Sequence, residues 1–475
     1  MRQRARTIVI VGAGFSGTAV AVNLLRGRQI ERSQALRIVL LDRAEFARGT
    51  AYADREYPYL LNVPAGRMSA TACDPGEFLD FAQRRLPHAT AEDFLPRTLY
   101  GQYLAALLRA AEKSAPHGVS LETLHGEATG IERAVDSAGV RVDLAGATPL
   151  VADQVVLALG NPPPARLPGT ERLVGSPHYL EDPWSAPLEI RAGESVLMLG
   201  TGLTMADVAV AAAERTAGRV LIHALSRHGL MPAVQSAFRP APAAREATGP
   251  LDRAPQSLRA LVHTLRLQCN QVEREGGDWR EAISRVRMRA PALWQDLPPA
   301  ERARFLRHAR SFWDIHRHRL PEETFARLER LRAARSLHIH AGRLLGLALA
   351  RDRVRATWRA RGTQQIAQVR IDRVINCTGP DCDPGRTRSA LLRSLLAEGI
   401  AVGDPLGLGL RTAAHGALID RCGRAACDLY YIGPMLRADY WEATAVPELR
   451  EHAERLAHHL LSLRERLSVT DRRAV

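Results

Sequence analysis

The sequence is almost devoid of lysine: Lys113 is the only one, and every other basic residue is arginine. Lysine and arginine together number 65 against 51 acidic residues, which leaves a formal net charge of +14. Such an excess suits nucleic acid, an anionic membrane surface or an acidic ligand. Because most arginines are interleaved with Asp and Glu and alanine is also abundant, we attribute the excess mainly to the codon usage of a GC-rich genome. We expect no nucleic-acid partner.

Cysteine is also scarce, with six residues in 475 and no CxxC pair. So few cysteines do not form an oxidised, secreted framework, and we expect a cytoplasmic location. Arg2, Arg4 and Arg6 precede an apolar run that imitates a signal peptide, but cleavage there would destroy a glycine loop. No other stretch approaches the ~20 uninterrupted apolar residues of a membrane span, so we expect no membrane partner.

A glycine loop joins the first buried strand to the first helix. The strand TIVIV at 7–11 is followed by Gly12, Gly14 and Gly17, and the next strand, LRIVLLD, ends in Asp42. In a dinucleotide-binding unit these glycines permit the tight turn, the approach of a pyrophosphate and close helix packing, while the acid accepts ribose hydroxyls. The predicted contacts with this dinucleotide are Gly12, Gly14, Phe15, Ser16, Gly17, Asp42 and Arg43.

A second loop of this kind begins at Gly200, but it has Met205 in place of the third glycine. The following strand ends in Ser226 and Arg227 rather than in an acid, and a guanidinium suits a 2′-phosphate, which favours NADPH over NADH. Alternatively, Arg227 is simply one of many arginines. The predicted contacts are Gly200, Thr201, Gly202, Leu203, Thr204, Ser226 and Arg227. Two sites of different preference indicate a tightly bound flavin dinucleotide, FAD, and a diffusible NADPH.

We therefore predict an α/β fold with two Rossmann-like dinucleotide-binding domains, for FAD and NADPH, and a mostly helical insertion. The insertion is the proline-punctuated, arginine-rich stretch with helical periodicity after the second unit. We expect the buried strand VINCTG at 374–379 to return to the first domain. The predicted limits are 1–165 and 372–475 for the FAD-binding domain, 166–235 and 336–371 for the NADPH-binding domain, and 236–335 for the insertion.

Several distinctive segments resemble one family. They are GTAY at 49–52, LLNVPAGRMS at 60–69, LPRTLYGQYL at 95–104, GTGLTMAD at 200–207, SRHGLMP at 226–232 and IGPMLRADYWEATAVPELR at 432–450. With the order of the two loops, LALGNPPP and VINCTGP, they resemble the FAD/NAD(P)-binding proteins related to the flavin-dependent N-hydroxylating monooxygenases. These belong to the two-dinucleotide-binding flavoprotein superfamily.

The resemblance implies further residues close to the cofactors: Asn62, Met68, Ser69, Arg97, Tyr100, Gly160, Gly379, Gly433 and Pro434. It also implies that Gly433 precedes the last helix, whose N-terminal amides would face the pyrimidine end of the flavin and stabilise its anionic reduced form. Ordinary packing is the alternative for Met68, Tyr100 and Trp441.

Departures from neighbouring families narrow the chemistry. Disulfide reductases carry a CxxxxC pair soon after the first loop, and no cysteine lies there in this chain. The pair with this spacing at Cys422 and Cys427 surrounds a turn and predicts a hairpin. Baeyer–Villiger monooxygenases have a linker whose Gly, His and Trp spacing this chain does not reproduce. The pairs His316-x-His318 and His338-x-His340 lack a third ligand, so we predict no metal site.

The predicted insertion carries an aromatic and cationic cluster: Trp294, Phe312, Trp313, Asp314, His316, Arg317 and Arg319. It could form a lid that selects a substrate carboxylate, or an amphipathic layer that packs on the nicotinamide domain.

We predict an FAD-containing, NADPH-dependent oxidoreductase that acts on a small molecule with molecular oxygen. It would oxygenate an amine nitrogen through a flavin C4a-hydroperoxide, with no catalytic protein nucleophile. The alternatives are a flavin reductase or dehydrogenase without oxygen transfer, and a non-catalytic flavin-binding redox sensor. The sequence defines neither the substrate nor the oligomeric state.

Overall fold

The computed structural model describes residues 5–27, 35–133, 139–235 and 257–471. The chain divides into two compact units: Met1–Pro162 with Cys382–Val475, and Pro163–Asp381. Residues 236–256, with which the predicted insertion begins, lie outside the described residues, so the start of the insertion stays a prediction.

The strands of the described residues are β1 (Arg6–Val11), β2 (Leu36–Asp42), β3 (Val119–His125), β4 (Ala128–Arg133), β5 (Val140–Leu144), β6 (Ala147–Ala152), β7 (Gln154–Leu157), β8 (Tyr179–Leu180), β9 (Ser195–Leu199), β10 (Leu221–Ser226), β11 (Leu337–Ala350), β12 (Arg353–Ala360), β13 (Ile366–Ile371), β14 (Arg373–Asn376), β15 (Ala417–Ile419) and β16 (Ala425–Tyr431).

The α-helices of the same residues are α1 (Phe15–Arg26), α2 (Gly49–Tyr52), α3 (Glu77–Gln83), α4 (Arg97–Lys113), α5 (Leu203–Arg215), α6 (Leu258–Arg274), α7 (Trp279–Asp296), α8 (Pro299–His308), α9 (Arg310–Arg317), α10 (Glu322–Ala333), α11 (Ala390–Ala397) and α12 (Val446–Asp471).

The first unit is built on a six-stranded sheet in the order β15-β16-β7-β1-β2-β3. All neighbouring pairs are parallel except β15 with β16, which form the hairpin predicted around Cys422 and Cys427. The apolar run of β1 is buried, and Ile8, Val9 and Ile10 are fully inaccessible. Such continuous apolar strands are typical of a parallel sheet covered on both faces. A separate antiparallel sheet, β4-β5-β6, belongs to the same unit.

The second unit has a seven-stranded sheet in the order β13-β12-β11-β10-β9-β14-β8. Strands β11, β10, β9, β14 and β8 run parallel, while β12 and β13 continue β11 as an antiparallel extension. The two sheets confirm the predicted α/β class with two Rossmann-like units. The described part of the predicted insertion, between β10 and β11, holds helices α6 to α10.

The prediction that the strand at 374–379 returns to the first domain is wrong. Strand β14 lies in the sheet of the second unit, where Val374 pairs with Leu197 of β9 and Ile375 with Met198. The first unit resumes only at Cys382. An apolar strand that is buried on both faces fits either sheet equally well, so its sequence does not indicate which sheet it joins.

A second expectation also needs correction. Gly433 does not directly precede the last helix: it precedes a short 3₁₀ helix, Pro434–Ala438, and α12 begins only at Val446. The first helical turn after Gly433 is therefore too short to supply the N-terminus of a long helix to a cofactor.

The aromatic and the cationic residues of the predicted cluster in the insertion lie in different environments. Trp294 is 3% exposed and packs edge-on against Phe305, and Trp313 packs against a small apolar cluster that includes Val286. These contacts support the packing interpretation for both tryptophans. The arginines Arg317 and Arg319 belong to a different environment, described below.

Candidate cofactor sites

The first glycine loop fills the space between β1, β7 and α1. Gly12 has φ +106°, and a Cβ on it would lie 2.2 Å from the carbonyl oxygen of Ala158. A Cβ on Gly17 would lie 1.8 Å from the carbonyl oxygen of Gly12, so only glycine lets α1 approach the loop this closely. Gly14 is the N-cap of α1, and no side chain caps that terminus. The free backbone N–H groups at such a terminus are suited to a phosphate.

Asp42 ends β2 beside this loop, as predicted. Its Oδ2 accepts a hydrogen bond from the backbone N–H of Ala13 at 2.6 Å, and its Oδ1 accepts one from that of Ala44 at 2.9 Å. The carboxylate is therefore held against the loop by two backbone donors, and each oxygen retains a lone pair for a ribose hydroxyl. Arg43, by contrast, is exposed and pairs with Glu127 at 3.5 Å.

The second glycine loop repeats the geometry of the first. Gly200 has φ +116°, and its Cβ would lie 2.4 Å from the carbonyl oxygen of Cys377, which follows β14 as Ala158 follows β7. The N-cap Gly202 has φ −87° and ψ −161°, close to the −72° and −163° of Gly14. Met205, at the position of the third glycine, is fully buried. Helix α5 therefore leaves room for a side chain where α1 leaves none.

The residues after β10 differ from Asp42 in both charge and bonding. The Ser226 Oγ lies 2.8 Å from the hydroxyl of Thr201 and accepts a hydrogen bond from the backbone N–H of Gly229 at 2.9 Å. The Thr201 hydroxyl donates its single hydrogen to the carbonyl of Leu230 at 2.5 Å. The Ser226 hydroxyl is therefore the donor in its hydrogen bond with Thr201. Arg227 is exposed, and among the described residues no hydrogen bond or ion pair involves its side chain. Its guanidinium is available to a ligand.

Two further predicted glycines occupy equivalent positions in the two units. Gly160 lies two residues after Ala158 and has φ +67°, and Gly379 lies two residues after Cys377 and has φ +80°. A Cβ on either glycine would meet no described atom within 4 Å. Gly379 belongs to the second unit, so the expectation that it lies in the FAD-binding domain is wrong, for the same reason as for β14.

The segment at 60–69 is tied to α4 by Arg97. The Nε of Arg97 donates to the carbonyl of Leu60 at 3.0 Å, and its backbone N–H donates to that of Tyr59 at 2.8 Å. Met68 and Ser69 are buried, and the Ser69 hydroxyl lies against the carbonyl oxygens of Thr71 and Asp74. These contacts hold the segment in place.

Asn62 is exposed, so its side chain is accessible to a ligand. Gly433 and the buried Pro434 lie beside Tyr431, whose hydroxyl accepts a hydrogen bond from Met435 N–H at 3.1 Å.

The buried polar atoms of the first unit that have no hydrogen-bond partner among the described residues include the hydroxyl of Tyr100 and the Nε of Arg450. The Tyr100 ring contacts Phe15, at the start of α1, with centroids 6.4 Å apart, and Tyr52 at 4.6 Å. Burial, reinforced by Tyr52, raises the pKa of Tyr100 well above its usual value, so the hydroxyl stays protonated and can donate.

A buried donor without an acceptor is unfavourable by about 1–3 kcal/mol, so both atoms fit a ligand that offers acceptors near α1, as a flavin does. Tyr100 was expected near the flavin from the family resemblance, whereas Arg450 was not. Its role is visible only in three dimensions, where its Nη1 donates to the carbonyl of Ser69 at 3.3 Å.

Comparisons with known proteins agree with this geometry. Residues 9–162 match the family model described as FAD-NAD(P)-binding, which confirms the prediction of such a domain at the first glycine loop. No curated protein sequence matches the chain.

Among solved structures, the ornithine N-hydroxylase of Kutzneria sp. 744 is 16% identical, with a TM-score of 0.62 over 97% of this chain and all of that one. L-lysine 6-monooxygenase from Pseudomonas syringae is 16% identical, with a TM-score of 0.63 over 98% and 99% of the two chains. The chain has the two-dinucleotide-binding flavoprotein fold.

The same fold includes reductases, and the likeness to them is weaker. Thioredoxin reductase from T. acidophilum is 13% identical, with a TM-score of 0.50 over 96% of this chain and 98% of that one. None of the six cysteines, all of which the structure describes, forms a disulfide, and burial raises the pKa of Cys377, which keeps it protonated. Within the described residues, no group of three or more His, Cys, Asp or Glu is arranged to hold a metal ion. No described helix is both long and apolar enough to cross a membrane.

Proposed function

We propose that the chain is an FAD-containing, NADPH-dependent monooxygenase that oxygenates a small molecule at an amine nitrogen. The observation that carries the proposal is the pair of glycine loops with matching backbones but different neighbours. One is followed by Asp42, which suits ribose hydroxyls, and the other by Ser226 and Arg227, which suit a 2′-phosphate. Two dinucleotides of different preference in one chain indicate electron transfer from one to the other.

The side chains of each unit have distinct tasks in this proposal. The N-terminus of α1 binds the flavin pyrophosphate, and Asp42 orients the ribose. Tyr100 and Arg450 donate hydrogen bonds from the buried interior. The N-terminus of α5 and Arg227 bind NADPH. When bound, the flavin supplies the hydride acceptance and oxygen activation that no protein side chain provides.

The activities named for the similar structures support an amine substrate. One is an ornithine N-hydroxylase recorded with reduced FAD, NADP⁺ and L-ornithine, and another is an L-lysine 6-monooxygenase. We propose a primary amine of this size. In the balanced reaction one oxygen atom of O₂ enters the amine nitrogen as hydroxyl and the other leaves as water, while NADPH is oxidised to NADP⁺.

The test begins with anaerobic mixing of the flavin-loaded protein with NADPH, which should bleach the oxidised-flavin absorbance. Oxygen is then added with and without an amine such as ornithine or lysine. Transfer of isotopically labelled oxygen from O₂ into the amine supports a monooxygenase. Flavin reoxidation in a single phase, with no label in any of a broad panel of amines, supports the reductase alternative. Absence of bleaching by NADPH supports a flavin-binding sensor.

We also propose a cytoplasmic location, for which the small number of cysteines and the lack of a disulfide among them are the support.

A further inference from the structure

A group of arginines lies inside the second unit, away from both glycine loops in sequence. We call it the Arg319 cluster: Arg280 and Arg287 on α7, Arg317 at the end of α9, and Arg319 just after it. The Nε and Nη1 atoms of Arg319 are buried and have no hydrogen-bond partner among the described residues. Two nitrogen atoms of a charged group are thus removed from water without any acceptor, which is among the least favourable arrangements in a protein interior.

The charges around Arg319 make its position still less favourable. Arg280, Arg287 and Arg317 all act on it repulsively, and Asp278 is the carboxylate that acts on it attractively. Asp278 is already engaged, because it accepts hydrogen bonds from the guanidinium of Arg280 at 2.8 and 3.0 Å. Burial, followed by Arg280 and Arg317, lowers the pKa of Arg319 to about 10, so the group remains charged at neutral pH. The cluster therefore has a local excess of positive charge.

Aromatic rings support the cluster from one side. The Trp279 ring lies 4.5 Å from the guanidinium carbon of Arg280 and 5.9 Å from that of Arg319, and the His316 ring meets it edge-on at 5.1 Å. Cation–π contacts of this kind offset part of the cost of burying a guanidinium, but they accept no hydrogen bond from it. The N–H donors of Arg319 stay available.

The cluster is anchored to the loop that follows β10. Arg280 donates from Nη2 to the carbonyl of Val234 at 2.8 Å, and Leu320 donates to the carbonyl of Ala233 at 2.9 Å. In the same loop, the His228 ring contacts Phe312 of α9 with centroids 5.7 Å apart. The Arg319 cluster and Arg227 are therefore connected to one loop, at the carboxyl end of a parallel strand, where α/β proteins bind ligands.

We propose that the Arg319 cluster binds an oxyanion, a phosphate or carboxylate group carried by a ligand of this unit. The bound group accepts hydrogen bonds from the Nε and Nη1 atoms of Arg319 and neutralises the excess positive charge. Its source is either a phosphate of the nicotinamide dinucleotide or an acidic group of the small substrate. This proposal does not depend on the chain being a monooxygenase, because anion binding is measured without catalytic turnover.

The test compares thermal unfolding of the full-length protein in millimolar sodium phosphate and in sodium chloride of equal ionic strength. Three proteins are compared: the wild type, Arg319→Met and Arg332→Met. Arg332 is the matched control, since it lies on α10, is half exposed and pairs with Glu329 at 2.7 Å. We expect phosphate to raise the Tm of the wild type and of Arg332→Met by about 3 °C or more beyond any rise in Arg319→Met, in which both glycine loops can still bind phosphate. An equal response of all three proteins to phosphate, or no response, would overturn the proposal.

Two further measurements check that Arg319→Met folds normally and identify the ligand that carries the bound oxyanion. Without phosphate, Arg319→Met should be as stable as the wild type or more stable, because it removes an unpaired buried charge. A tenfold or greater loss of NADPH affinity in Arg319→Met, with NADH affinity unchanged, identifies the 2′-phosphate as the ligand group. Unchanged affinity for both dinucleotides, with the phosphate response retained in the wild type, identifies an acidic group of another ligand.

Discussion

The two glycine loops of this protein have the same backbone conformation, but they differ in how tightly the following helix packs and in the residues that follow the next strand. In both, the first glycine lies against the carbonyl oxygen of the residue that follows the neighbouring parallel strand of the sheet. For Gly12 this residue is Ala158, after β7, and for Gly200 it is Cys377, after β14. The same backbone bonds recur, with Gly12 N–H to Leu41 and Gly200 N–H to Leu225, both at 2.8 Å. The common backbone is thus dictated by sterics and strand pairing, while the choice of ligand depends on side chains beyond the loop.

The difference in helix packing gives the largest expected effect. Gly17→Ala would place a Cβ 1.8 Å from a backbone oxygen, whereas Gly202→Ala would meet no described atom within 4 Å at a φ of −87° that alanine adopts freely. We expect Gly17→Ala to lower the free energy of unfolding by about 3 kcal/mol or more and Gly202→Ala to change it by less than about 0.5 kcal/mol. Urea unfolding of the flavin-free protein, followed by circular dichroism, measures both. Similar small losses would contradict the packing argument.

The second largest effect is expected on NADPH affinity, from the difference between the residues that follow β2 and β10. Arg227→Ala should weaken NADPH binding by about 1–3 kcal/mol and leave NADH binding unchanged, because only NADPH carries the 2′-phosphate. Arg219→Ala is the control, since Arg219 is exposed just before the amino end of β10, away from the loop. Calorimetric titration with both dinucleotides measures the affinities. An equal loss for NADPH and NADH would remove the argument for a phosphate contact.

Much of this comparison was predictable from the sequence, because glycine spacing and continuous apolar strands have specific local causes. Both loops and the α/β class are examples. The sheet to which β14 belongs was not predictable, because its apolar run fits the interior of either unit. Nor did the string after Gly433 indicate a 3₁₀ helix in front of α12.

The sequence singled out Tyr100 and Arg319 but did not predict that buried donors of Tyr100, Arg450 and Arg319 lack an acceptor among the described residues. Whether a buried donor has an acceptor depends on side chains that are distant along the chain. No spacing rule covers such contacts.

The interior of the first unit gives a smaller effect, in which two neighbouring tyrosines should respond in opposite ways. The Tyr103 hydroxyl donates to Glu77 at 2.8 Å and accepts from Ala70 N–H at 3.1 Å, whereas the Tyr100 hydroxyl has no hydrogen-bond partner in the described part of the chain. In the flavin-free protein we expect Tyr103→Phe to cost about 1–2 kcal/mol and Tyr100→Phe to be neutral or stabilising by up to about 1 kcal/mol. Unfolding in urea measures both. Flavin titration should then show weaker binding only where Tyr100 is replaced; unchanged binding would mean that its hydroxyl does not face the cofactor.

The smallest effect concerns acid stability and the sheet of the second unit. There His223 of β10 lies with its Nδ1 3.0 Å from the Nε2 of His340 on β11, and burial, followed by His340, lowers the pKa of His223 to about 4. Because the unfolded state binds a proton near pH 6.5 and the folded state only near pH 4, the free energy of unfolding should fall as the pH drops through this window. Solvent screening of these partly exposed rings reduces the effect to on the order of 1 kcal/mol.

His223→Leu should flatten the pH dependence of Tm between pH 6.5 and 4, whereas His308→Leu, at an exposed position of α8, should not. Burial also lowers the pKa of His452 in the first unit to about 4, so the slope should shrink without vanishing. A steeper slope in His223→Leu would mean that the imidazolium form of His223 is stabilised by the fold, contrary to the burial of its ring.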